Sequence, residues 1–147
     1  MVDGKIAPNS LLYADFVIDP TGSEVAIDYS FSLGSITSNG SETIPTSRLK
    51  VADVRLISSS SVDATNDHSE GTQLTGSSGV YTGTINLNPA TGTQNSALTA
   101  SEAQTVRVYI QWQETNVTAD NTADTAVGIE SPTLTMTVTG TATQKVS

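Results

Sequence analysis

Residues 24–33 read Glu-Val-Ala-Ile-Asp-Tyr-Ser-Phe-Ser-Leu, with Val25, Ile27, Tyr29, Phe31 and Leu33 on one parity and Glu24, Ala26, Asp28, Ser30 and Ser32 on the other. A helix, with 3.6 residues per turn, would scatter those apolar side chains around its circumference. A strand places all of them on one face. The same period of two recurs in Leu12, Ala14, Phe16 and Ile18, in Val106, Val108, Ile110 and Trp112, and in Leu134, Met136 and Val138 set against Thr133, Thr135, Thr137 and Thr139. Leu49 to Ile57 is a further strand whose apolar parity slips between Val51 and Val54, the mark of a β-bulge or a bend. Tyr81, Ile85 and Leu87 outline another.

The punctuation between these runs is that of turns. Pro20-Thr21-Gly22-Ser23 joins the first two strands and predicts an antiparallel hairpin between them. Ser35 to Ser47 is polar, with a turn at Asn39-Gly40. Ser58 to Gly79 and Glu114 to Ala126 read as long surface loops. Asn88-Pro89 closes the strand before it, and one helical turn fits around Ala97 to Ala103. Five long strands, seven with short ones, and no sustained helix predict an all-β chain, a jelly-roll-like antiparallel β-sandwich. With 147 residues, no internal repeat and no linker, residues 1–147 are expected to form one domain. Tyr29, Phe31 and Trp112 are the expected core anchors.

Charge and residue types exclude several function classes. Six basic against 15 acidic residues leave a net charge of −9, too few cations to track a phosphate backbone or an anionic membrane. No apolar run is long enough to span a bilayer. The absence of cysteine removes disulfides, Cys-ligated zinc and thiol catalysis together, and fits Gram-positive surface proteins, which often manage without disulfides. His68 is the sole histidine and lies in the Ser58–Gly79 loop. A catalytic triad needs its histidine held by a rigid shell, and a zinc peptidase needs three protein ligands, so no catalytic residue is expected. In the second loop Asp120, Asn121 and Asp124, with Glu114 and Thr125, supply oxygen ligands of the kind calcium takes. Their spacing matches no EF-hand, and carboxylates on a solvated loop need no metal, so no cofactor is expected. Asn39-Gly40-Ser41 and Asn116-Val117-Thr118 have the form of N-glycosylation acceptors. Lys50, on a strand, reads as a charge that discourages edge pairing rather than as half of an isopeptide bond.

Two stretches carry a resemblance. Ile6-Ala7-Pro8-Asn9-Ser10, then Ala14 to Asp19 and Thr21-Gly22-Ser23-Glu24-Val25-Ala26-Ile27-Asp28-Tyr29, are similar to the opening of TasA/camelysin-type secreted proteins, which are matured by a SipW-type signal peptidase. Asn9 stands where that family usually has glycine. Tyr109 to Glu114, followed by Asp120-Asn121, Asp124-Thr125 and Leu134 to Gln144, resembles the family's terminal block. Together they cover about half the chain, and the middle, Ser35 to Ala100, matches nothing of the family.

The resemblance implies a jelly-roll sandwich exported to the cell surface or biofilm matrix, after removal of a leader that Met1-Val2-Asp3-Gly4 does not contain. It also implies self-association into fibres by donor-strand complementation, where one subunit's N-terminal strand fills a groove in the next. Here Val2, Ile6 and Ala7 precede Pro8, which cannot donate to a ladder, so residues 1–10 offer at best a short donor. The natural N-terminus is expected to extend upstream of Met1, the alternative being that Val2–Ala7 docks onto a neighbour. The Thr-lined last strand, with few charges at its edges, suits contacts between copies. Two other readings remain open: a secreted surface-binding module or adhesin that uses its long loops, and a camelysin-type metallopeptidase, which the single histidine disfavours.

Overall fold

The computed structural model describes residues 7–41, 43–57, 70–87, 97–115, 124–125, 127 and 132–145. The strands are β1 (Leu11–Ile18), β2 (Ile27–Asn39), β3 (Leu49–Ile57), β4 (Thr72–Gln73), β5 (Val80–Ile85), β6 (Gln104–Trp112) and β7 (Thr133–Gln144). They form a four-stranded sheet in the order β1-β6-β3-β4 and a three-stranded sheet in the order β5-β2-β7. Every pairing is antiparallel, and every connection except that from β3 to β4 passes between sheets. This is a jelly-roll-like β-sandwich. Among the described residues no helix is long and apolar enough to cross a membrane.

The alternating runs explain where the core lies. From β2 come Tyr29, Phe31 and Ile36; from β6 come Val106, Val108, Ile110 and Trp112; Leu49, Val54 and Ile85 complete the centre, with Phe16, Leu134, Met136 and Val138 packed around it. Trp112 is fully buried and Phe31 is 4 % exposed. The Phe16 ring meets Phe31 edge-on, 5.1 Å between centroids, and Phe31 stacks on Tyr81 at 5.2 Å. Such pairs add to plain area burial. Gly83 sits opposite Tyr29 in the β2–β5 ladder. A Cβ there would collide with the Tyr29 phenol oxygen, so glycine makes room for a core aromatic.

The β1–β2 hairpin does not form. β1 pairs with β6 from Leu11↔Gln111 to Ile18↔Gln104, and β2 lies in the other sheet. The turn residues instead bond Leu98: Gly22 N–H donates to its carbonyl, and its own N–H donates to the Ser23 carbonyl. The turn is therefore a crossover between layers, and it lets Phe16 and Phe31 meet across the core rather than side by side. A second correction concerns Ser35 to Asn39, which reads as a polar connection. β2 runs on through it, because a register shift between Leu33 and Ile36 moves Ile36 onto the inner face, where it is buried.

The parity slip in β3 is a register shift between Val51 and Asp53. The helical turn near Ala97 is a 3₁₀ turn, Ala100–Glu102, capped by Thr99 with Glu102 reaching back to the Thr99 N–H. The Glu102 carboxyl is held below its usual range by the Thr99 hydroxyl and N–H.

Short connections fix which strand ends lie together. One end of the sandwich holds Ile18, Gln104, Ile27 and Gln144, since the Asp19–Ser23 turn lines one shallow cavity with Ile27 and Gln144. The other end holds Leu11, Trp112, Leu49, Asn39 and Thr133. β1 and β7 thus run in the same direction.

Candidate functional site

Among the described residues the sandwich is open along one side. β7 ladders to β2 from Asn39↔Thr133 to Ile27↔Gln144, and β1 ladders to β6. Among the described residues no strand pairs with the other edge of either. Between these two edges runs a groove of about 350 Å³ over Phe16, Ile110, Leu134, Met136 and Val138. All but Ile110 are only half-buried, and among the described residues no strand covers them on this side. Exposed edges are normally blunted by lysine, proline or an inward charge. Thr133–Gln144 contains no charged residue and no proline, and the one extra residue of the β2–β7 irregularity lies on β2, where Gly34 and Ser35 oppose Thr137. The edge offers a row of backbone donors and acceptors above an apolar trough, which is the chemistry of strand addition.

The outer face of the four-stranded sheet carries a polar network. Arg107 and Tyr109 point away from the core yet are 3 % and 1 % exposed, a burial that alternation alone does not indicate. Arg107 donates two bonds to the Asp15 carboxylate, both at 2.9 Å, and lies 4.0 Å from the Tyr13 ring centroid. Donating to Asp15 raises the pKa of Arg107 above an already high value. The Tyr109 hydroxyl donates to Glu70 Oε2 at 3.0 Å, and Arg55 Nη1 donates to the Glu70 carbonyl. Burial works against ionisation of Asp53, but bonds from Arg55, Gln73 and the Val54 N–H outweigh it and hold the carboxyl below its usual range.

A third cluster lies at the Trp112 end. Arg48, in the 3₁₀ turn Thr46–Arg48, donates to both oxygens of Asp124 at 2.6 and 2.7 Å and to the Gln113 carbonyl at 2.9 Å. Both side chains are buried, and the guanidinium lies 5.8 Å from the centroid of the Trp112 ring.

Of the calcium candidates, Asp124 is therefore a salt-bridge partner whose two oxygens face a guanidinium, while Asp120 and Asn121 lie outside the described residues. Among the described residues no group of three or more acidic or histidine side chains converges. His68, Asn88-Pro89, the Asn116 acceptor, Val2 and Ile6 also lie outside them. Lys50 is exposed on β3 opposite Gln111, and Asn39 is exposed at the end of β2. Tyr29 is 5 % exposed, with its hydroxyl donating to Gln104 Oε1 at 3.0 Å. Burial pushes that phenol up from its ordinary pKa.

Sequence reasoning missed Arg48 and Arg107 because nothing local marks a lone arginine whose partner is 76 or 92 residues away. The groove was missed too, since it depends on which strands become neighbours. No family model, no curated protein and no solved structure matches this chain.

Proposed function

We propose that the chain is an extracellular structural subunit of a fibre or biofilm matrix, without a catalytic site, that assembles when a strand from one copy adds to the open edge of the next. The observation that carries this reading is the uncharged β7 edge above its apolar groove. A strand laid there would satisfy the free backbone groups, and each apolar side chain it seats over Met136 would gain roughly 1.5–3 kcal/mol. It would also bring the three-stranded sheet to four strands, matching its partner. The TasA/camelysin resemblance at the two ends of the chain supports the same reading. Asn9, where that family has glycine, takes a left-handed backbone (φ 62°), which glycine and asparagine enter most readily.

The test is Met136→Asp. An aspartate in the groove must be desolvated when a strand covers it, whereas in the monomer the half-buried position leaves it solvent. The wild-type chain, with its natural N-terminus, is expected to form filaments by negative-stain microscopy. The variant is expected to elute as a folded monomer. Filaments from the variant as abundant as those of the wild type would refute the reading, as would a natural chain that never polymerises.

A further inference from the structure

We infer that β1 and β7 are a pair of mechanical clamps, placed so that the sandwich carries tension between its two ends. The chain enters β1 at the Leu11–Trp112 end and leaves β7 at the Gln144–Ile27 end. Force applied through those two exits acts along both terminal strands. In an antiparallel ladder the hydrogen bonds lie perpendicular to the strands, so a pull along the strand loads all of them together. A pull across one end would break them one at a time. The β1–β6 ladder pairs residues from Leu11 to Ile18, and the β7–β2 ladder pairs them from Thr133 to Gln144.

The entry to β1 has fastenings beyond its ladder. Asn9 N–H donates to the Trp112 carbonyl at 2.7 Å, Asn9 Nδ2 donates to Glu114 Oε2 at 2.6 Å, and the Glu114 N–H donates back to Asn9 Oδ1 at 3.3 Å. Two turns of the pleat further on, Asp15 is forked by Arg107, whose guanidinium also lies against Tyr13. A bidentate charged pair resists sliding by one residue, because the fork fits the carboxylate in one register only. Phe16 then interlocks with Phe31 of the opposite sheet. At the other exit, the Lys145 N–H donates to the Ala26 carbonyl and extends the β7 ladder past its last paired residue. Tyr13, Asp15 and Asn9 thus fasten an edge strand that would otherwise be the easiest to strip from the sheet.

The purpose of such a clamp rests on the fibre-subunit reading, but its test uses single chains and does not depend on assembly. The absence of cysteine allows defined attachment points. Single molecules are pulled through Ala7→Cys with Lys145→Cys, across the two ends, or through Glu24→Cys with Lys145→Cys, at one end. The expected result is a single high-force rupture in the first geometry and its loss in the second, where β7 peels from β2. Asp15→Asn should lower the rupture force in the first geometry and leave the second unchanged, which a general loss of stability would not do. Equal forces in the two geometries, or an Asp15→Asn effect equal in both, would overturn the inference. Failure of the chain to polymerise would leave this result untouched.

Discussion

Trp112→Ala is expected to destabilise the fold by about 3–5 kcal/mol, the range for truncating a large aromatic in a packed core. The indole is fully buried, paired in the ladder with Leu49, and covered by the Arg48 guanidinium. Its Nε1 has no hydrogen-bond partner among the described residues, so the substitution breaks no side-chain hydrogen bond to any of them. The cost is transfer, cavity and the lost contact with Arg48. Chemical denaturation of the variant against wild type measures it. Because Trp112 is the only tryptophan, wild-type unfolding can be followed by its own fluorescence, and the native emission should be that of an indole shielded from water. A loss below about 1 kcal/mol would mean that the surrounding side chains collapse into the cavity.

Asp124→Ala is expected to cost a similar amount, about 3–5 kcal/mol, because it strands a buried guanidinium. The corresponding drop in melting temperature is on the order of 10 °C for a chain of this size. A buried ion pair contributes little net stability against an apolar replacement of the same volume, so the loss comes from leaving one charge uncompensated. It follows that Arg48→Met combined with Asp124→Leu should recover much of what either single change loses. A double variant as unstable as the sum of the two would show that the Arg48 bond to the Gln113 carbonyl, rather than the ion pair, dominates.

The strands were legible because a single buried face writes a period of two into β1, β2, β6 and β7. The bulge in β3 was legible for the same reason, as a break in that period. Partner choice was not. Residues 20–23 look like a hairpin turn whether the chain folds back or crosses to the other sheet, and nothing local in the turn separates the two. β4 is two residues long within a polar stretch, too short to show alternation. The burial of the outward face of β6 was not legible, because the groups that cover Arg107 and Tyr109 come from Asp15 and Glu70, far away in sequence. The same distance hid the Arg48–Asp124 pair and made Asp124 look like a loop ligand. The groove is the largest miss, since it arises from two strands at opposite ends of the chain becoming the two free edges of one side.

Strand addition at that side is tested most directly by amide hydrogen exchange, comparing filaments with monomers of the same protein. An added strand should bring new protection to amides in Thr133–Gln144, and the exposed edges of β4 and β5 should exchange as they do in the monomer. Filaments in which β7 exchanges as fast as in the monomer, or in which new protection appears on β4 or β5 instead, would contradict an assembly built on the β1–β7 groove.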